Sequence, residues 1–215
     1  MKFLLIGMGP GIGMSLARRF GAAGFEIIMV ARDPVKLRQF EADLAAGGIR
    51  ATGFAADIAD EAAYPALLQQ LASGHPDLDI LHYNASAFHP AMPSAIELPV
   101  FMKDWRVNVV GALLAAQAFL PAMKQRGWGT FFFTGGGSAL KAPPELSALS
   151  IGKAGMRNLA LGLAQECAPL NIQVATVTVC GMVQPGTKHD PDLIAAEFWR
   201  LYQLPPEKWE REVML

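Results

Sequence analysis

The sequence predicts an α/β fold, a doubly wound sheet of parallel strands with helices on both faces. Three observations predict it. Short runs of β-branched and aliphatic residues alternate with longer helical stretches from the first residue to about residue 180, the pattern of strands joined by crossover helices. The chain of 215 residues is 52% hydrophobic and only 17% charged, with mean hydropathy +0.27, which supplies a core and is the opposite of a disordered composition. No internal repeat, low-complexity run or linker divides it, so one domain over residues 1–215 is expected.

The first strand is expected at Lys2–Ile6. Its Phe3-Leu4-Leu5-Ile6 resembles an export signal, but four glycines and a proline follow between Gly7 and Gly13, and a buried strand feeding a tight loop accounts for them better. The first helix runs from Ile12 to about Ala23, where Gly24 can take the left-handed conformation that ends helices. The second strand, Glu26–Val30, leads to Asp33-Pro34, a side-chain cap followed by proline at the first helical position. Further strands are expected at Ile49–Ala55, Leu78–Asn84, Thr130–Thr134 and Ile172–Val179. The stretch Val107–Met123 has no charge, yet it contains Asn108, Gln117 and Pro121 and falls short of the about 20 residues that span a bilayer. It reads as a helix covered on both sides, not as a membrane segment. Asp190-Pro191 repeats the capping signal before a last helix toward Tyr202, and Val213–Leu215 can add a short seventh strand.

With 18 basic and 19 acidic residues the net charge is −1, which offers no field to attract a phosphate backbone or an anionic membrane. Neither nucleic acid nor membrane is an expected partner. Cys167 and Cys180 are too few for a disulfide scaffold and lack the spacing of a metal site, so no metal, buried thiols and a cytoplasmic location are expected.

Function is written first in Gly7-Met8-Gly9-Pro10-Gly11-Ile12-Gly13, between the first strand and the first helix. Glycine is needed where the backbone turns sharply and approaches a pyrophosphate, and the helix N-terminus beyond it offers unpaired N–H groups. G-x-G-x-x-G fails here; G-x-x-x-G-x-G fits on Gly7, Gly11 and Gly13. This pattern resembles the short-chain dehydrogenase/reductase family, whose other landmarks follow in order over about residues 1–185. The resemblance implies a Rossmann-like sheet in the order 3-2-1-4-5-6 with the short seventh strand added. It implies Asp57 and Ile58 at the adenine, Asn84 and Ala85 (in Tyr83-Asn84-Ala85-Ser86) beside the cofactor, and Asn108 holding a water near the catalytic Lys. It also implies Lys153 at the nicotinamide ribose and Val183 near the carboxamide. After the second strand an acidic residue would bind the ribose of NAD, whereas an arginine accommodates the 2′-phosphate of NADP. Here Ala31 and Arg32 stand in that place and Asp33 is taken as the cap, so NADP is favoured over NAD.

The sequence also departs from the family. A tyrosine four residues before the lysine passes a proton to or from the substrate oxygen in the family; counting back from Lys153, that position is Leu149. The family's serine, thirteen residues before that tyrosine, falls on Gly136, and Ser138 takes the role only if the intervening loop is two residues shorter. Ser150, His89 or water remain as proton donors. Only about ten residues separate Cys180 from the Asp190 cap, so a small or open pocket is expected. The resemblance thus implies an oxidoreductase moving hydride between NADP(H) and a small carbonyl or alcohol of unknown identity, with Lys153, Asn108 and Ser138 at the reacting end. The alternative is a non-catalytic NADP(H)-binding sensor or regulator. A homo-oligomer, dimer or tetramer, is expected on the helices around Lys103–Gln125 and Ser150–Ala168, which the family uses between subunits and which carry small and apolar residues here.

Overall fold

A computed structural model describes residues 1–215. Seven strands, β1 (Lys2–Ile6), β2 (Glu26–Ala31), β3 (Ala51–Ala55), β4 (Ile80–Tyr83), β5 (Gly129–Gly136), β6 (Ile172–Val179) and β7 (Glu212–Met214), form one sheet. Every pairing is parallel, in the order β3-β2-β1-β4-β5-β6-β7. The expected order is therefore found, and the seventh strand extends it. Period-two alternation explains why the central strands read as unbroken apolar runs. Leu4 and Ile6 of β1 face one core with Val30, Tyr83 and Phe133, while Phe3 and Leu5 face the other with Met29 and Phe132. Both faces are covered, as parallel sheets require.

The helices are α1 (Ile12–Ala22), α2 (Pro34–Ala46), α3 (Ala63–Gly74), α4 (Leu98–Trp105), α5 (Gly111–Arg126), a single turn α6 (Ser138–Lys141), α7 (Ser147–Cys167) and α8 (Pro191–Tyr202). Helices α1, α2 and α8 cover the Phe3 face; α3, α5 and α7 cover the Leu4 face. The local signals act where they were read. Asp33 accepts hydrogen bonds from the backbone N–H of Val35 and Lys36, Asp190 accepts one from Asp192, and Gly24 ends α1 at φ +91°. Strands β3 and β4 each begin two residues later than the sequence suggests, and β5 runs two residues further, to Gly136 paired with Val179.

Two expectations are corrected. The helix through Val107–Met123 is not covered on both sides within one chain: Ala112, Ala115, Ala116 and Phe119 are buried, but Leu113 and Gln117 are exposed. The helical run Leu98–Arg126 holds a window of mean hydropathy 1.4, long and apolar enough to cross a membrane by composition, and 44% of that window is buried. Nor are both thiols buried, since Cys167 is buried but Cys180 is exposed.

Candidate functional site

The chain enters the sheet at β1, builds β2 and β3 to one side, then crosses to β4 on the other. A crevice opens at such a reversal, beyond the carboxyl ends of the strands, and ligands of open α/β sheets bind there. In this protein it holds two cavities. The larger, about 670 Å³, reaches from the glycine loop past β5 and β6 to α6 and α7. The smaller, about 440 Å³, lies over the ends of β1, β2 and β4. Asn84 and Ser86 line both, so the two chambers meet at the end of β4.

Each glycine of the first loop has its own reason. Gly7 sits at φ +95°, and a side chain there would strike the backbone of Ala85. Gly13 packs a missing Cβ 3.3 Å from the Met8 Cα, which seats α1 against the loop. At Gly9 and Gly11 a side chain would meet nothing within 4 Å; those positions open into the larger cavity. The helix behind them has no side-chain cap and no acidic residue in its first turn. Its N–H groups and partial positive charge are left to a ligand.

A chain of hydrogen bonds under the loop fixes it. Asn84 donates through Nδ2 to the Gly7 carbonyl at 2.9 Å, and its Oδ1 accepts the Thr134 hydroxyl at 2.8 Å. Because that hydroxyl proton goes to Asn84, the contact of 2.9 Å between His82 Nε2 and Thr134 Oγ1 requires His82 to donate. Its Nδ1 is then the bare ring nitrogen, and no partner reaches it. Burial holds the imidazole neutral by pushing its pKa down to about 3. Thr134 is also the anchor of Lys153, whose Nζ donates to the Thr134 carbonyl at 2.8 Å. Burial lowers the Lys153 pKa to about 8, so the ammonium persists near neutrality with reduced margin. One residue at the end of β5 therefore positions both the phosphate loop and the lysine.

The structure brings most of the sequence-derived set to this crevice. Gly11, Ile12, Gly13, Ser138, Lys153 and Val183 line the larger cavity, and Gly7, Arg32, Asp57, Ile58 and Ala85 the smaller. Arg32 is exposed and takes part in none of the ion pairs or side-chain hydrogen bonds. Asp57 accepts from the Ala59 N–H at 3.0 Å and so closes a turn instead of capping a helix; Asp60 accepts from Ala62 and Ala63 at the start of α3. Asn108 lies in a π-helical turn, Arg106–Val110, between α4 and α5. Its amide accepts from the Ala87 N–H at 2.9 Å and donates to the Ala87 carbonyl at 3.0 Å. It thereby ties the loop after β4 to the π turn, which packs against α7 where Gly152 leaves room for it.

Leu149, Gly136 and Ser138 all line the larger cavity with Lys153. A Cβ on Gly136 would stand 3.5 Å from the Lys153 Cγ, ordinary contact distance. The alternative donors are not there. His89 lines the smaller cavity and pairs with the buried Asp104 at 2.7 Å, and the Ser150 hydroxyl is buried without a partner, outside the lining of the crevice. Of the expected small or open pocket, the open form is found: the larger cavity is not small, but it is walled by α6 and the loop Ala142–Leu146 without a long segment after β6, and Leu140 and Met182 are exposed at its mouth. Sequence reasoning missed Thr134, His82 and Lys141. His82 reads as part of an apolar strand, and its one signal is being the polar residue of that run; Lys141 sits in no motif.

A family profile described as short chain dehydrogenase matches residues 2–193. The chain is 28% identical over 202 residues to dehydrogenase/reductase SDR family member 4 of Homo sapiens, covering 93% of this chain and 68% of that protein. It is 30% identical over 175 residues to 4-formylbenzenesulfonate dehydrogenase of Comamonas testosteroni, covering 81% of this chain and 69% of that one. Among solved structures, a metagenomic short-chain oxidoreductase in complex with NADP superposes with TM-score 0.89 at 25% identity, covering 100% of this chain and 96% of the other. A short-chain dehydrogenase from Rhodopseudomonas palustris superposes with TM-score 0.88 at 28% identity, covering 100% and 97%.

Proposed function

The chain belongs to the short-chain dehydrogenase family, and from that premise we propose that it binds NADP(H) along the crevice and exchanges hydride with a small carbonyl or alcohol. The observation that carries this reading is the two-chambered crevice itself, with an uncapped helix and the open positions Gly9 and Gly11 at its middle. The residues present fit a dinucleotide. The smaller chamber takes the adenosine end with Asp57 and Ile58 at the base and Arg32 at the 2′-phosphate. The Asp33 carboxylate is engaged through one oxygen as the cap of α2, accepting from two backbone N–H groups, and with Arg32 beside it this favours NADP over NAD. The NADP in the metagenomic relative supports the same choice. Lys153 binds the ribose of the nicotinamide end with Val183 near the carboxamide, and Ala85 stands beside the cofactor in the smaller chamber. When bound, the cofactor supplies or accepts the hydride.

The proton path is atypical in this reading. Leu149 stands four residues before Lys153, one helical turn away on the same face, in the place of the family's tyrosine, and has no proton to give. Ser138, the hydroxyl that lines the cavity with Lys153, is assigned to hold the substrate oxygen. Loss of a positioned acid removes about 10²- to 10⁴-fold in rate, so turnover is expected to be slow. Leu149 equally favours a second reading, a protein that binds NADP(H) without catalysis and reports it. Titrating NADPH and NADH by fluorescence, and following NADPH consumption over a panel of aldehydes and ketones, separates the two. Tight NADPH binding with measurable turnover supports the enzyme, binding alone supports the sensor, and no binding rejects both.

A further inference from the structure

Twenty-two residues line the larger cavity, and none is Asp, Glu, Arg or His. In a chain with 19 acidic residues, that leaves Lys153 and Lys141 as the only charges in the wall. Lys153 is tied to the Thr134 carbonyl at the sheet. Lys141, the last residue of α6, is in none of the seven ion pairs and makes no side-chain hydrogen bond. The other charged residue of that neighbourhood, Glu145, does not line the cavity.

The wall around Lys141 is otherwise apolar: Leu140, Pro143, Leu146, Leu149 and Met182. Leu140 and Met182 are 45% and 82% exposed, an apolar rim at the mouth. Hydrogen-bonding side chains are scarce at this end. Asn84 and Thr134 are occupied with Gly7 and with each other, which leaves Ser138 beside Lys141, with Ser86 further off where the two cavities meet. A sugar or other polyol would bury hydroxyls that find no partner, at a cost paid for each one. A cationic compound would meet only like charge. An apolar body fills such a wall, and an anionic group at its outer end meets Lys141, which is exposed and so offers a modest, solvent-screened attraction.

We infer that the substrate is an apolar carbonyl compound or alcohol carrying a carboxylate or sulfonate, with Lys141 as the residue that selects the anion. The inference rests on the proposed function for one point: a cofactor along the glycine loop leaves this end of the cavity to the substrate.

Three ketones test it by calorimetry on the NADP⁺-saturated protein, where no reduction interferes: 4-acetylbenzoate, its neutral counterpart of similar size 4-methylacetophenone, and the smaller, polyol-like dihydroxyacetone. The anionic ketone should bind about three- to fivefold more tightly than the neutral one, as expected for a partly exposed charge pair, and dihydroxyacetone most weakly. Lys141→Ala should erase the preference, Lys141→Arg keep it and Lys141→Glu reverse it, all with unchanged NADP⁺ affinity. A preference that survives Lys141→Ala, the absence of any preference, tightest binding of dihydroxyacetone, or no binding of any probe at millimolar concentration overturns the inference. If NADP⁺ itself does not bind, the proposed function fails separately, and the same comparison on the cofactor-free protein decides this one.

Discussion

At the scale of single residues, the crevice ties each expectation to one side chain. Arg32 has no partner in the protein, so removing it costs the fold little and a 2′-phosphate much. Arg32→Ala should weaken NADPH by about 1.5–3 kcal/mol, the value of a charge-assisted contact, and leave NADH nearly unchanged; equal losses in a fluorescence titration would show that Arg32 does not read the phosphate. Leu149 and Gly136 are the two positions where the family's proton and oxygen holders would stand, and the space beside Lys153 admits a Cβ at residue 136. Leu149→Tyr together with Gly136→Ser should therefore raise NADPH-dependent carbonyl reduction by about 10²-fold or more over the parent, and a flat rate would mean that the pocket is not built for the chemistry. Lys153 gives a pH signature. Its folded pKa, lowered by burial to about 8, lies below its ordinary value of 10.5. Between those values the unfolded chain binds the additional proton, so this group's contribution makes the fold more stable as pH rises from about 8 to 10.5 and leaves its penalty complete below 8. Urea unfolding at both ends of that window should show a gain of up to about 3 kcal/mol that is missing in Lys153→Met.

At the scale of elements, what the sequence shows and what it hides divide by cause. The starts of α2 and α8 and the stop of α1 are legible because one side chain or one glycine decides each. The π turn at Arg106–Val110 is not legible. One additional residue in a helix leaves no mark in composition, yet it turns Asn108 toward Ala87 and presents the Val107 carbonyl to the Tyr83 hydroxyl. The glycine loop was readable as an element, but the sequence could not say that Gly7 and Gly13 serve packing while Gly9 and Gly11 face open space. Thr134 and His82 were hidden for another reason, since their link runs across β4 and β5 and exists only once the strands are in register. The close approach of the π turn to α7 can be tested directly. A Cβ on Gly152 would stand 2.6 Å from that of Asn108, so Gly152→Ala should destabilise the fold by about 1–3 kcal/mol in urea denaturation and loosen the loop after β4. An unchanged midpoint would mean that the π turn yields easily.

At the scale of the whole molecule, the parallel sheet covered on both faces followed from the alternation of strands and helices, because each crossover must bury its apolar stripe against the sheet, whereas the strand order followed from the family resemblance. The lysine-bearing end of the crevice did not follow, since Leu140 and Lys141 come from the single turn α6 and Met182 from the loop after β6, segments too short to show a periodicity. The outer side of α5 and α7 is the remaining open face. Leu113 and Ile151 are 37% and 45% exposed there, and the C-terminal helix cannot cover them because it packs on α1 across the sheet, where Ser15 donates to Asp192 at 2.6 Å. Light scattering at micromolar concentration should report a dimer or tetramer, and Leu113→Glu with Ile151→Glu should give monomers or aggregates; a stable wild-type monomer would refute this use of the face. Strand β7 has a consequence of a different kind, in the order of synthesis. It lies parallel beside β6, and Glu212 pairs with Arg157 of α7 while accepting from Thr178 of β6. During translation β6 is made well before its outer neighbour, with the loop after Val179 and all of α8 in between. Over that interval a fully buried-type strand, Ile172–Val179, presents an unpaired edge, the surface through which chains pair with one another. A released chain that stops between Tyr202 and Glu212 keeps that edge open, and it should aggregate at concentrations at which the 215 residues stay dispersed.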